Sequence, residues 1–237
     1  MPIATEIAQF SLIAGQDPRK AGSSAAQFLQ KTLDIVKQQP GFLRGFWGIQ
    51  DEDPSALVVV VDGAANPVKD WEDIKHHQDL VNSQNFAAMQ ENLVNVITFD
   101  NGPPVVTHVN FTSDATSVYQ ASVTAVESFR VPEDASQEQK SALEDSFLHL
   151  AKFYTTKTAC SGYASGWVVE TLPDDNAPGA KVLSFTGIFG WPVNEEVKSV
   201  RNNPGDPAVV DAMDPITRVA LPRKKGDAFH VSLRSFG

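Results

Sequence analysis

Two residues on one short predicted strand, His108 and Asn110 in the segment THVNF, have side chains suited to proton chemistry. Because successive side chains of a strand point to opposite faces, these two residues share one face. Histidine is a natural general base near neutral pH, and a neighbouring amide can hold an enolate or phenolate oxygen. We therefore interpret His108 and Asn110 as candidate catalytic residues, with a structural histidine bonded to a backbone carbonyl as the alternative.

A second candidate base is His77, in the segment DIKHHQDLV. Ile74, His77 and Val81 have helical spacing, so His77 is predicted on the inner face of an amphipathic helix. The preceding His76 is rotated by about 100° around the same helix, and we expect it in solvent. Adjacent histidines lack the spacing of metal ligands, and Cys160, the only cysteine, cannot form a thiolate cluster. No metal site is predicted, and Cys160 is interpreted as a small buried hydrophobic residue.

Aromatic side chains form the second group of candidate site residues. Trp47 in GFWGIQ aligns with Trp167 in SGWVVE, and His108 aligns with His230 in FHVSLRS at nearly the same sequence offset. Tryptophan offers a flat apolar surface and an indole N–H, which suit an aromatic ligand, although core filling is the competing interpretation. The predicted substrate-binding residues are Phe46, Trp47, Trp71, Trp167 and His230.

The elements that must position these residues occur twice along the chain. Residues 1–113 have the periodicity and turn residues of a β-α-β-β-α-β order, and residues 117–237 repeat it. In the second half, a capping box at Ser136 and Gln139 predicts the start of a helix whose apolar positions are Leu143, Phe147, Leu150 and Tyr154. The sequence therefore predicts an α+β fold of two tandem ferredoxin-like repeats. Both helices of such a repeat cover one face of its sheet, so we expect the bare faces to meet in a pseudo-twofold domain like a dimeric α/β barrel.

The strand VVVV at residues 58–61 fits this arrangement, because apolar side chains at consecutive positions are typical of a strand buried on both faces. Each repeat also keeps a compartment between its sheet and its helices. We expect a flat small molecule to bind in such a compartment.

Composition and charge restrict the class of partner. The chain has 237 residues, of which 42% are hydrophobic, and a formal net charge of -10. These values are typical of a folded domain and argue against nucleic acid or an anionic membrane surface as the partner. The beginning, MPIATEIAQFSLIAG, lacks a basic region before its apolar stretch, and no apolar run is long enough to span a bilayer. We predict a cytoplasmic protein. The sequence contains no glycine-rich phosphate-binding loop, so it does not indicate a nucleotide cofactor.

The segments TEIAQFSL, FLQKTLDIVKQQPGFLRGFWGIQDEDPSALVVVVD and WEDIKHHQDLVNSQNFAAM resemble the antibiotic-biosynthesis-monooxygenase (ABM) type of dimeric α/β barrel. The second half resembles a diverged copy, as in tandem versions found in fungi. The resemblance places His77 at the family's helix histidine. Two departures are that Gly63 stands where a tryptophan is expected, with Trp71 following later, and that Gln9 and Ser11 stand where some members have asparagine.

The resemblance implies a cofactor-independent monooxygenase of secondary metabolism that acts on an aromatic or polyketide-like small molecule. In such enzymes a base removes a phenolic or carbon-bound proton, and the carbanion reacts with dioxygen. Three alternatives stay open: a cyclase or isomerase without oxygen chemistry, a non-catalytic small-molecule-binding or stress-related barrel, and haem held by one histidine such as His77. Both a monomer and a homodimer are compatible with the sequence.

Overall fold

We obtained a computed structural model of the chain, in which residues 3–64, 84–174, 177–193, 207–224 and 226–237 are described. The chain divides into two compact units: Met1–His108 with Arg234–Gly237, and Val109–Leu233. The sequence candidates Trp71 and His77 lie outside the described residues.

Both halves of the chain combine strands and helices. The elements of the first half are β1 (Ile3–Leu12), α1 (Ser24–Lys37), β2 (Phe42–Ile49), β3 (Ala56–Ala64), α2 (Gln84–Leu93), β4 (Ile97–Thr98) and β5 (Val105–Phe111). Those of the second half are α3 (Thr116–Tyr119), β6 (Val123–Pro132), α4 (Gln137–Lys157), β7 (Gly162–Val168), β8 (Leu172–Pro173), β9 (Lys181–Trp191), α5 (Pro207–Val219), β10 (Ala228–Val231) and β11 (Arg234–Phe236). Apart from the short additions α3, β4, β8 and β11, each half has the β-α-β-β-α-β order, so the predicted α+β class is confirmed.

The sheet of the first unit is antiparallel, with β3 between β1 and β2, and β4 alongside the end of β1. Helix α1 begins after Ser23, whose hydroxyl accepts a hydrogen bond from the backbone N–H of Ala26. Its buried face carries Leu29 and Leu33, which pack against core side chains of the sheet. Of the four valines predicted to be buried, Val58, Val59 and Val60 are buried and Val61 is half-buried, so both faces of this strand are largely covered.

The second unit repeats this plan, with β9 between β6 and β7 and β10 alongside β6. Helix α4 opens with the predicted capping box, in which Ser136 and Gln139 each accept a hydrogen bond from the other's backbone N–H. The buried face of α4 carries Leu143, Phe147 and Leu150, three of the four positions predicted from its spacing.

The end of the chain differs from the sequence prediction of one last strand. Two strands form instead: β10 pairs with β6 in the second unit, whereas β11 pairs with β2 in the first. Gly45 explains why β2 accepts this neighbour, because a Cβ at Gly45 would lie 2.2 Å from the Phe236 ring. The missing side chain leaves the space into which Phe236 packs.

Candidate functional site

A cavity of about 860 Å³ lies in the first unit between the sheet and helices α1 and α2. Its wall is mainly aliphatic and aromatic, as in most small-molecule sites. Apolar side chains that line it from the sheet are Ala8, Phe10, Phe42, Val59, Val61, Ile97 and Val106. Apolar side chains from the two helices include Leu29, Leu33, Val36, Phe86, Met89 and Leu93. The polar side chains in the described lining are Glu6, Thr32, Gln39 and Gln90.

Strand alternation explains how β1 contributes to this wall. Glu6, Ala8 and Phe10 occupy alternate positions and all line the cavity, so the side chains of Thr5 and Ile7 point to the other face. Most inward positions of this strand are apolar, as a core-facing strand requires. Glu6 is therefore an acidic residue at a position where the pattern favours an apolar one.

His108 lies beside this carboxylate. The imidazole Nε2 is 3.4 Å from Glu6 Oε2, and the two side chains are 14% and 23% exposed. Val106, on the same face of β5, lines the cavity, and the Thr107 hydroxyl donates a hydrogen bond to the backbone carbonyl of Ile7. The structure therefore brings His108 to a cavity-lining acid that the sequence candidates did not include.

Asn110, the predicted partner of His108, is exposed near the end of β5. It is in register with Trp167 on β7, and both residues belong to the second unit. A Cβ at Gly166 would lie 2.1 Å from the backbone oxygen of Asn110, so a glycine is required for this close approach. The close contact found for His108 is with Glu6 rather than with the amide.

The aromatic candidates of the first unit have different surroundings. Trp47 is in register with Val59, which lines the cavity, and the guanidinium of Arg234 lies 5.4 Å from the centre of its ring. Phe46 is buried and in register with Val60, so it occupies the opposite face of the sheet. Trp47 thus lies beside Val59 on the face of the sheet that lines the cavity, whereas Phe46 points to the opposite face.

The space between sheet and helix in the second unit is filled by aromatic rings. Phe147 of α4 is fully buried, with its ring centre 5.4 Å from that of Phe185 and 5.2 Å from that of Phe189. A Cβ at Gly187 would lie 2.0 Å from the Phe147 ring, so this glycine lets the ring rest on the sheet. Trp167 joins the same core, 5.3 Å from Phe185.

Trp167 and His230, the predicted ligand-binding residues of this unit, are both held within its packed structure. The Trp167 indole N–H donates a hydrogen bond to Glu144 of α4 at 2.5 Å. His230 is buried on β10 in register with Ala125. On β6, the strand that pairs with β10, the carboxylate of Glu127 forms an ion pair with Arg223 at 2.6 Å. These contacts describe a packed core rather than an open ligand site.

Cys160 is buried, as predicted, and its thiol donates a hydrogen bond to the backbone carbonyl of Gly162. Desolvation by burial raises the pKa of this thiol, so the reactive thiolate is scarce at neutral pH. We expect iodoacetamide at pH 8 to leave the native protein unmodified, and to alkylate Cys160 fully once the chain is unfolded in guanidinium. Mass spectrometry measures both reactions, and rapid labelling of the native protein would contradict this prediction.

The described residues contain no group of three or more His, Cys, Asp or Glu residues arranged to hold a metal ion. The described cavity lining offers no His, Cys or Tyr to ligate haem iron, and no Lys or Arg to pair with haem propionates. The one ionisable group in this described lining is the carboxylate of Glu6, and His77, the histidine considered as a haem ligand, lies outside the described residues. Within the described ranges, no helix is both long enough and apolar enough to span a membrane.

No protein-family model matches the chain, and no curated protein matches its sequence. Solved structures do match. An anthrone oxidase-like protein superposes with a TM-score of 0.63 at 12% identity, covering 99% of this chain and 94% of its own. A protein from Lactobacillus acidophilus assigned as a monooxygenase gives 0.53 at 10% identity, covering 98% and 94%. A chlorite dismutase variant from Candidatus Nitrospira defluvii gives 0.55 at 13% identity, covering 99% and 91%. At these identities the likeness shows the fold, which is that of the dimeric α/β barrel proteins.

Proposed function

We propose that the protein is a cofactor-independent monooxygenase, or a related tailoring enzyme, that oxidises an aromatic or polyketide-like small molecule in the cavity of the first unit. The observation that carries this proposal is the apolar cavity of about 860 Å³ with the carboxylate of Glu6 at its wall and the imidazole of His108 beside that carboxylate. Its volume falls in the range of small-molecule sites, and its aliphatic and aromatic lining suits a ligand of several fused rings.

The fold shared with an anthrone oxidase-like protein supports the same reaction class. A cytoplasmic location and a role in secondary metabolism belong to this proposal. The catalytic roles of His77, His108 and Asn110 stay predictions, as do ligand contacts by Phe46, Trp47, Trp71, Trp167 and His230. Of these residues, His108 has the most direct support because it contacts a side chain that lines the cavity.

The proposed reaction begins with removal of a proton from an activated carbon of the substrate by a base at the cavity wall. The electron pair of the broken C–H bond remains on the substrate as a carbanion, stabilised by delocalisation into the rings. Dioxygen accepts this electron pair, and protonation of the product gives a hydroperoxide. Loss of water from the hydroperoxide breaks the O–O bond and leaves a ketone, so one oxygen atom enters the substrate and the other becomes water.

Anthrone is a suitable first substrate for the test. We expect the purified protein to consume dioxygen with anthrone and to release anthraquinone, as measured with an oxygen electrode and by chromatography. Val61→Phe should lower this activity at least about tenfold, because the new ring occupies the cavity opposite Glu6. Val169→Phe is the matched control, since Val169 is an exposed residue of the second unit, and it should retain the activity.

Three results would overturn the proposal. Conversion of the substrate at an equal rate without dioxygen would indicate a cyclase or isomerase. Tight binding of anthrone with no conversion would indicate a binding protein. Activity that appears only after haem is added, with the absorption band of bound haem, would indicate a haem enzyme.

A further inference from the structure

The geometry points to Glu6 as a catalytic residue of the first-unit cavity: its carboxylate accepts the proton of the substrate, and His108 is the positioning residue that holds the carboxylate. This inference rests on the function proposed above and changes the assignment of the base. The sequence pattern indicates His108 for that task. In the structure, the acid lines the cavity and the imidazole lies beside the acid.

The composition of the wall supports this assignment. Among the described residues that line the cavity, Glu6 is the one with an ionisable side chain. For a weakly acidic C–H or O–H group of a bound apolar ligand, this carboxylate is therefore the base that the described lining provides. Thr32, Gln39 and Gln90 can form hydrogen bonds with a ligand, but their side chains do not accept a proton near neutral pH.

The contact with His108 gives the carboxylate a defined position. One carboxylate oxygen, Oε2, lies 3.4 Å from the imidazole Nε2, and in this assignment the other oxygen accepts the proton of the ligand. General bases need this kind of fixed geometry, and their hydrogen bonds are often long when no ligand is bound. Both side chains keep some exposure, which allows the accepted proton to pass to water after the reaction.

The second unit provides an internal comparison, because it contains the same two residue types on the corresponding strands. Glu127 lies on β6 opposite Gly187, as Glu6 lies on β1 opposite Val61. There, however, Arg223 pairs with the Glu127 carboxylate, and the Phe147 ring covers Gly187. A carboxylate on this strand is therefore not sufficient for proton transfer from a ligand. The open cavity in front of Glu6 is the feature that makes this reaction feasible in the first unit.

The step assigned to Glu6 is a single proton transfer. The proton leaves a C–H or O–H group of the substrate and forms an O–H bond with the carboxylate. The electron pair of the broken bond stays on the substrate as a carbanion or phenolate. No oxidant takes part until dioxygen accepts that electron pair, so the proton transfer can be observed separately from the oxidation.

Exchange of the methylene hydrogens of anthrone with deuterium oxide, without dioxygen, isolates this step. We expect the native protein to accelerate the exchange, as measured by NMR. Glu6→Gln should slow it about 100-fold or more, the usual contribution of a general base. Glu6→Asp should restore part of the rate, because the carboxylate remains. His108→Gln should slow the exchange about tenfold, since the base is still present but less well positioned.

The matched control is Glu127→Gln, the same chemical change in the second unit, which should leave the exchange rate within about twofold. Binding of anthrone, measured by fluorescence, should change less than about threefold in Glu6→Gln, so that the loss falls on the chemical step rather than on binding. Thermal unfolding of each variant checks that the fold is retained.

The outcomes separate this inference from the proposed function. Exchange that depends on Glu6 without any oxygen consumption supports the role of Glu6 and overturns the oxygenase. Oxygen consumption and exchange that both persist in folded Glu6→Gln overturn the role of Glu6 and leave the oxygenase standing. No exchange by the native protein overturns the role of Glu6 directly.

Discussion

Replacing Phe147 with alanine is expected to lower the free energy of unfolding by about 4 kcal/mol, because truncating a fully buried phenylalanine leaves a cavity in a packed core. Phe147 has no exposed surface. Its ring lies edge-on to Phe129 and Phe185 and rests on the sheet at Gly187. Aromatic contacts of this geometry add to the stability that burial alone provides.

Leu148 offers a matched control on the same helix. It follows Phe147 directly but is 44% exposed, so Leu148→Ala should change the free energy of unfolding by less than about 1 kcal/mol. Urea denaturation followed by circular dichroism measures both variants. A loss below about 1 kcal/mol for Phe147→Ala would show that the aromatic core of the second unit is loosely packed.

Replacing Asp62 with alanine is expected to lower the free energy of unfolding by about 3 kcal/mol, because it removes one partner of a buried charged network. Asp62 is 1% exposed. Its carboxylate accepts hydrogen bonds from the Thr5 hydroxyl at 2.6 Å and from Arg44 Nε at 2.5 Å. The variant leaves the guanidinium, which is only 25% exposed, and the buried hydroxyl without this acceptor.

The matched control is Asp214→Ala, which breaks an ion pair between Asp214 and Arg218 on the exposed side of α5. Exposed pairs contribute about 0–1 kcal/mol, so this change should be small. Asp62 lies on the face of β3 opposite to the cavity-lining Val61, so Asp62→Ala should leave the affinity for anthrone unchanged in the fraction that is folded. Equal losses of stability in the two variants would contradict the assigned role of the buried network.

Local sequence signals predicted most of the fold. The hydrophobic spacing of α4, its capping box at Ser136 and the hairpin of β2 and β3 all appear in the structure, because each depends on residues close in sequence. The split of the last predicted strand into β10 and β11 does not follow from local signals. It depends on the space that Gly45 leaves for Phe236, and these two residues come from opposite ends of the chain.

The candidate site was predicted only in part. His108 was found from its residue type and strand position, and the structure places it beside a cavity. Glu6 was missed, although an acid at an inward position of an apolar strand was a usable signal. The role inferred for Glu6 depends on the neighbouring strand β5, which brings His108 within 3.4 Å of its carboxylate. A contact between residues so far apart along the chain cannot be derived from one sequence.

The sequence by itself predicted the order of elements and two similar halves, each with a tryptophan and a histidine at corresponding strand positions. Only the tertiary structure decided in which half the described part of the compartment between sheet and helices stays open. In the second half, Phe147 rests on Gly187 and Arg223 pairs with Glu127, whereas in the first half Glu6 faces an apolar space. The physical reason is packing: whether a compartment stays open depends on the summed volumes of side chains from several distant elements.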